Sequence, residues 1–145
     1  MEQGDWVVCQ IGAREHFAIP RALHRSGRLQ ALVTDLWVPP NSWLTRFPKT
    51  QRLMDRYHPA LAEAHVVAPN GQMLIGETAD RALRRQGWPA ILRRNRRFQR
   101  SAVRILASMT LSPTASPPVL FSYSYAALDL FRFAKQNGWQ TVLGQ

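Results

Sequence analysis

The sequence predicts an α/β domain in which a mostly parallel sheet is flanked by helices. Short apolar segments alternate with longer amphipathic segments, a pattern typical of strand, helix, strand crossovers. The segment from Leu29 to Trp37 is apolar on both faces, as a parallel strand covered on both sides requires. The chain has 145 residues, 46% of them hydrophobic, which is enough for one domain with a core. We therefore expect a single domain over residues 1–145.

The first crossover is predicted between Asp5 and Asp35. Its first strand covers residues 5–10, and the helix that follows must accommodate Pro20. Proline lacks an N–H and therefore fits in the first turn of a helix, so we expect this helix to start near His16. Gly27 suits the left-handed residue that ends a helix. The second strand then covers the segment that is apolar on both faces.

The middle of the chain is less regular. Residues 38–60 contain several prolines and predict an irregular insertion with short helices. A short third strand is expected over residues 64–69. Two helices are expected over 71–86 and 88–106, separated at a glycine and with a proline in the first turn of the second. Residues 107–118 are rich in proline and serine and predict a loop.

The last third of the chain predicts one more crossover. Val119 to Ser122 is expected to form the fourth strand and Tyr123 to Gln136 an amphipathic helix ended by Gly138. The apolar side chains available for packing on this helix are Leu128, Phe131, Phe133 and Ala134. Gln140 to Gln145 resembles a core strand, with nothing after it to cover or continue it. This pattern predicts half of a two-lobed protein, with half of any site that lies between the lobes.

The net charge of +10 predicts a surface that attracts anions. Seventeen of the nineteen basic residues are arginine, and nine of these lie between Arg81 and Arg104. The densest part, with Trp88, Ile91, Leu92 and Phe98 nearby, predicts contact with an anionic membrane through Arg93, Arg94, Arg96, Arg97 and Arg100. The alternative is a solvated helix face. Nucleic acid is disfavoured because no known reader motif is present and the aromatic residues do not form stacking platforms on strands.

The histidines and the single cysteine do not predict metal or disulfide chemistry. Cys9 lies in the first strand and is expected to be a core residue. None of the histidines has metal-ligand spacing with another histidine, a cysteine or a carboxylate, so no metal is expected. The sequence shows neither a secretory signal nor an apolar run long enough to span a membrane. We expect a cytoplasmic protein, either free or held at the cytoplasmic face of the membrane.

Ligands of open parallel sheets bind at the carboxyl ends of the strands, and this rule selects three segments. They are Gly12 to His16 after the first strand, Asp35 to Pro40 after the second, and Ser122 to Tyr125 after the fourth. These segments contain the polar and aromatic side chains that a small ligand would contact.

The segment after the first strand offers backbone and side-chain ligands together. A glycine at position 12, followed by Ala13, lets the backbone approach a ligand, and the helix N-terminus beyond it attracts phosphate or a polar sugar. Arg14 can bind phosphate through two hydrogen bonds, and His16 can take a proton from an acceptor hydroxyl. In the alternative, Gly12 only allows a turn while Arg14 and Glu15 pair on the surface.

The other two segments each allow two interpretations. Asp35 follows Gly12 at nearly the offset of a ribose-binding acid, but the other glycines of a dinucleotide fingerprint are missing, so no cofactor is expected. It is expected instead to cap the loop that contains Trp37, whose ring can stack on a sugar. Ser122, Tyr123 and Ser124 can contact a ligand, whereas the alternative for the serines is capping of the next helix.

Four segments resemble the amino-terminal domain of bacterial, especially cyanobacterial, glycosyltransferases of the GT-B type (group 1, family 4): DWVVCQIGAREHFAIPRALHRSG, VTDLWVPP, RYHP and FSYSYAALDLFRFAKQNGWQTVLGQ. The resemblance extends over nearly the whole chain and is most specific in IGAREH and FSYSYAAL. It implies a Rossmann-like lobe. In that family this lobe chiefly binds the acceptor, while the carboxyl-terminal lobe holds most of the nucleotide-sugar donor.

The resemblance implies sugar transfer from a nucleotide-sugar donor to a sugar, lipid-linked or small-molecule acceptor, and it implies an incomplete, inactive enzyme if the chain stands alone. His16 would then be the catalytic residue. Acceptor contacts would come from Gly12, Ala13, Arg14, Glu15, Trp37, Ser122, Tyr123 and Ser124. Two alternatives remain: a non-enzymatic basic α/β module that binds nucleic acid or an anionic membrane, and a fragment of a dinucleotide-dependent oxidoreductase.

Overall fold

A computed structural model describes residues 5–46, 51–109 and 116–145 of the protein. Five strands form one sheet: β1 (Trp6–Gln10), β2 (Leu29–Thr34), β3 (Val66–Val67), β4 (Val119–Tyr123) and β5 (Gln140–Gly144). Their order across the sheet is β3-β2-β1-β4-β5, and every neighbouring pair is parallel. The predicted single α/β domain with a parallel, Rossmann-like sheet is confirmed.

The helices are α1 (Ala18–Arg25), α2 (Gln51–Met54), α3 (Asn70–Ala82), α4 (Trp88–Ser108) and α5 (Leu128–Gln136). Short 3-10 turns lie between them, at Arg14–Phe17, Trp43–Arg46, Pro59–Leu61 and Ser124–Ala126. The predicted insertion, residues 38–60, thus contains two 3-10 turns and α2, while residues 47–50 lie outside the described part of the chain.

The core has one layer on each face of the sheet. On one face, strand residues such as Val7, Val33 and Leu120 pack against α3, α4 and α5, with Phe98 and Leu130 fully buried among them. The other face packs against α1 and the 3-10 turns Arg14–Phe17 and Pro59–Leu61. Its buried residues are Val8, Phe17, Leu32, Leu61, Phe121 and Tyr123. Burial on both faces explains why β1, β2 and β4 are almost wholly apolar.

The first helix starts two residues later than predicted. Glu15, His16 and Phe17 have φ angles of 48°, 51° and 59°, so the backbone is left-handed just before α1 begins at Ala18. The predicted end of the helix is confirmed, since Gly27 has φ 68°. The strand that follows ends at Thr34, three residues before the predicted end.

The two central helices differ from prediction mainly at their ends. The predicted break is confirmed, with Gly87 at φ 71° and a proline in the first turn of α4. α3 ends at Ala82, four residues early, and Arg84 beyond it is left-handed with φ 51°. α4 continues through Ser108, so the first two residues of the predicted 107–118 loop are helical; 110–115 of that loop lie outside the described residues.

Three predictions about the last crossover were wrong. The helix expected from Tyr123 begins at Leu128, because Tyr123 ends β4 and a 3-10 turn follows it. Leu128 is 61% exposed, whereas Phe131, Phe133 and Ala134 pack as predicted, together with Leu130, one helical turn before Ala134. β5 is an edge strand rather than a core strand, because it pairs only with β4. Its Leu143 is 50% exposed.

Cys9 is a core residue, as predicted. It is fully buried in β1, and burial raises the pKa of its thiol far above the usual range. The thiolate, which is the reactive form of cysteine, is therefore suppressed, and Cys9 has a packing role.

Candidate functional site

The strand order reverses between β1 and β4, and the loops after these two strands meet at the carboxyl edge of the sheet. The Tyr125 hydroxyl donates a hydrogen bond to the Ile11 carbonyl at 3.1 Å, which joins the loops. The loop after β2 joins them through Asp35, which accepts a hydrogen bond from the Gly12 N–H at 2.8 Å. All three segments selected from the sequence therefore lie together, where open α/β sheets bind ligands.

Arg14 is held between these loops by aromatic rings. Its guanidinium carbon lies 5.1 Å from the ring centre of Tyr123 and 4.7 Å from that of Tyr125, and the two rings are nearly parallel. Burial raises the pKa of both phenols, so they remain neutral while the rings bind the cation. Arg14 itself is exposed and has no acidic partner among the described residues. The alternative in which Arg14 pairs with Glu15 is therefore not adopted.

The backbone next to Arg14 is strained. Glu15, His16 and Phe17 form an uninterrupted left-handed run, which costs each side-chain-bearing residue conformational energy. The run displaces the start of α1, so its free N–H groups do not directly follow Gly12 as the sequence predicted. The side chains of Glu15 and His16, the first two residues of the left-handed run, are instead exposed at the carboxyl edge of the sheet. Strain of this kind is concentrated at functional sites, where the surrounding structure maintains it.

Asp35 anchors the floor of the site. Its side chain is fully buried and is paired with Arg56 at 2.9 Å and with Arg94 at 2.6 Å, in addition to Gly12. Gly12 has φ 78°, and a Cβ atom there would lie 3.3 Å from Arg56 Nη1. A glycine is thus favoured at position 12 for both conformation and space. The predicted cap of the Trp37 loop is wrong, because both carboxylate oxygens are bound to arginines and to the first loop.

A histidine from the insertion joins the site. His58 Nε2 lies 3.0 Å from Arg21 Nη1, and partial burial, with Arg21 and His16 contributing, lowers the pKa of His58. This contact adds an imidazole and a guanidinium group to Arg14 and His16 among the cationic and imidazole groups contributed by the first loop, α1 and the insertion.

Trp37 lies beside this cluster and is half-buried. Its ring packs against Phe17 and Tyr57, with ring centres 5.5 Å and 5.1 Å away. Its backbone N–H and C=O are both hydrogen bonded to the Asn70 side chain at 2.9 Å. The packing fixes the ring as a rigid wall of the site.

The serines of the third segment do not cap α5. The Asp129 N–H in the first turn of that helix donates to the Gln99 side chain at 2.9 Å, so a residue of α4 has the capping role. Ser124 is exposed, whereas Ser122 is fully buried and its Oγ has no hydrogen-bond partner among the described residues. Gln10 Oε1, at the end of β1, is likewise buried and unpaired within the described ranges. Such atoms call for an ordered water or a ligand atom.

The basic segment of α4 does not form one uniform patch. Arg93 and Arg97 pair with Asp80, and Arg94 pairs with Asp35 and Glu77. Phe98, expected near the basic surface, is fully buried in the core. Of the five predicted patch residues, only Arg96 and Arg100 lack an acidic partner within the described ranges.

Three residues near this site were not assigned to it from the sequence: Arg56, His58 and Arg94. The arginines contact Asp35 from positions 21 and 59 residues away, distances at which sequence spacing gives no signal. For His58, the sequence indicates only a turn before Pro59. A buried aspartate requires cationic partners, but the sequence could not show that Asp35 was buried.

Within the described ranges, no group of histidine, cysteine or acidic side chains is arranged to hold a metal ion. In the same part of the chain, none of the helices combines the length and apolar character needed to cross a bilayer. No family model, curated protein or solved structure matches this chain.

Proposed function

We propose that this domain is the acceptor-binding lobe of a GT-B glycosyltransferase. The observation that supports it most is the contact of Arg14 with Tyr123 and Tyr125, which makes one site from the two segments with the most specific resemblance, IGAREH and FSYSYAAL. The site combines cations, aromatic walls and a general-base candidate at the edge where α/β sheets bind ligands. The acceptor would be a sugar, a lipid-linked sugar or a small molecule.

In this mechanism an acceptor hydroxyl attacks the anomeric carbon of a nucleotide-sugar, and the nucleoside diphosphate departs with the electrons of the broken bond. His16, exposed beside Arg14, accepts the hydroxyl proton. Arg14 and Arg21 orient the acceptor through hydrogen bonds to its oxygen atoms. The donor would be held by a second lobe facing this site, so that the cleft excludes water from the transfer.

Replacing His16 by alanine is expected to lower the rate of sugar transfer by about 100-fold, because a positioned general base contributes at least that much. The assay uses the protein as the cell produces it, with a panel of labelled nucleotide-sugars and lipid or sugar acceptors. His65→Ala is the matched control, since His65 is exposed at the opposite, amino end of β3. Unchanged transfer by His16→Ala would remove His16 from the mechanism. No transfer from any donor by the wild-type protein, assayed together with the lobe that binds the donor, would contradict the proposed function.

The tip between α3 and α4 supports a second element of the proposal, contact with an anionic membrane at its cytoplasmic face. Leu83, Trp88 and Ile91 are 60%, 69% and 47% exposed there, close to several arginines. Exposed aromatic and aliphatic side chains beside basic groups suit the surface of an anionic bilayer. The same features would also serve a non-enzymatic basic module, which is the second candidate function.

Replacing Trp88 by serine is expected to weaken binding to phosphatidylglycerol vesicles about fivefold, because partial burial of one aromatic side chain is worth about 1 kcal/mol. Trp43→Ser is the control, since Trp43 is 65% exposed but lies in the insertion. Equal loss of vesicle binding in both variants would contradict contact through the tip.

Tight binding of duplex DNA with a steep salt dependence, together with no sugar transfer, would favour the basic module.

A further inference from the structure

A groove between α3 and α4 is lined almost entirely by arginines. It is open to solvent and has a volume of about 420 Å³. Its walls are Gln72, Arg93, Arg96, Arg97, Arg100, Ser101 and Arg104. Four of these arginines, from 93 to 104, recur every three or four residues and therefore lie on one side of α4. The groove is distinct from the site at the ends of β1 and β4.

The positive charge of the groove is balanced at one end only. There Asp80 pairs with Arg93 and Arg97, and with Arg85 outside the groove. Although burial opposes its ionisation, these guanidinium groups hold the pKa of Asp80 below its usual value, with Arg97 the largest contributor among them. Further along, Arg96, Arg100 and Arg104 have neither an ion pair nor a hydrogen bond with any described residue. Three free guanidinium groups thus face one concave surface.

The floor of the groove is held in place by side-chain packing. Arg97 lies across Gly76, where even a Cβ atom would overlap its guanidinium group. The buried Ser101 hydroxyl donates to Gln72 Oε1 at 2.8 Å, which fixes the amide and leaves its nitrogen free to donate. Arg97 and the Gln72 amide are thus fixed before a ligand arrives and would lose less entropy on binding than mobile side chains do.

We propose that this groove binds a ligand that carries two or more phosphate groups. A planar guanidinium donates paired hydrogen bonds that match phosphate oxygens. The free row from Arg96 to Arg104 extends about 12 Å along the helix, which is longer than one phosphate requires. The volume is also within the range of small-molecule sites. The groove would bind such a ligand whether or not the domain takes part in sugar transfer.

The exposed apolar tip does not continue this surface. At 100° per residue, Trp88 and Ile91 lie on the opposite side of α4 from Arg93 and Arg97. A flat bilayer that covered the apolar side chains would therefore not cover the groove. The phosphate groups must enter the groove on a discrete molecule, either a soluble polyphosphorylated compound or a lipid headgroup that projects from its membrane.

The test measures binding of inorganic tripolyphosphate by titration calorimetry, and binding of phosphatidylcholine vesicles with and without a phosphatidylinositol bisphosphate by co-sedimentation. The double variant Arg100→Gln/Arg104→Gln is expected to bind at least about tenfold more weakly, because each substitution removes a charge-assisted hydrogen bond to phosphate. The control is Arg25→Gln/Arg46→Gln, which removes the same charge from two exposed arginines outside both the groove and the tip. Thermal unfolding checks that both variants remain folded.

The two arms distinguish the sources of phosphate. Tripolyphosphate binding that is lost only in the groove variant supports the proposal with a soluble ligand. Vesicle binding that needs the bisphosphate lipid and is lost only in the groove variant supports it with a lipid headgroup. The proposal is overturned if the protein binds neither tripolyphosphate nor the bisphosphate vesicles. It is also overturned if both double variants bind equally weakly, because net charge alone would then explain the attraction.

Discussion

Replacing Asp35 by alanine is expected to lower the free energy of unfolding by about 3 kcal/mol, because removing one partner of a buried ion pair leaves the other charges uncompensated. The Asp35 side chain is fully buried, while Arg56 and Arg94 are 21% and 31% exposed. The alanine variant also leaves the Gly12 N–H without its acceptor. Urea unfolding followed by circular dichroism gives the difference by linear extrapolation.

The matched control is Arg132→Gln, which breaks the exposed pair between Arg132 and Asp129 on α5. Exposed pairs contribute at most about 1 kcal/mol, so this variant should unfold close to the wild type. Asp35→Asn adds a second test, since asparagine fills the same volume and can still accept from Gly12 but cannot neutralise two arginines. If Asp35→Ala lowered the free energy of unfolding by less than about 1 kcal/mol, the ion pairs of Asp35 with Arg56 and Arg94 would not be important for stability.

Replacing Phe98 by alanine is expected to cost about 4 kcal/mol of unfolding free energy, since the variant loses apolar burial and leaves a cavity. Phe98 is fully buried in the layer formed by α3, α4 and α5. Because α4 also presents Arg94 to Asp35, we expect the α4 side of the candidate site to loosen with it. The measurement is the same urea titration.

Trp88→Ala provides the control on the same helix. Trp88 is a larger aromatic side chain than Phe98, but it is 69% exposed, so its removal should change the unfolding free energy by about 0.5 kcal/mol or less. If the two substitutions had similar effects, Phe98 would not be the residue that α4 buries against the sheet. A large loss in Phe98→Ala beside a small one in Trp88→Ala would confirm which side of α4 faces the sheet.

Local patterns predicted most of the fold. The apolar runs that became β1, β2 and β4 are buried on both faces, and such strands are recognisable without knowledge of their neighbours. Gly27 and Gly87 indicated helix ends because glycine adopts the left-handed conformation found there without steric cost, a preference that depends only on the local backbone. The errors occurred where tertiary contacts decide: Leu128 is exposed, and β5 is half-exposed because it has one neighbour only.

The candidate site was only partly predictable. The rule that ligands bind at strand ends selected the three segments that meet at the β1 and β4 edge, because strand direction is implied by alternating strands and helices. The rule did not identify Arg56, His58 or Arg94, which reach the site from distant elements. It also gave no means of distinguishing the paired arginines of α4 from the free ones.

By itself, the sequence determined the fold class and the strand and helix order, and it predicted the sheet edge at which the candidate site lies. These follow from periodicity, glycine and proline positions, and apolar content, all of which act over a few residues. Only the tertiary structure decided that Asp35 binds Arg56 and Arg94, that Arg14 rests on Tyr123 and Tyr125, and that a row of free arginines lines a groove. The physical reason is that charge pairing and burial depend on distances between elements, which the order of residues alone does not specify.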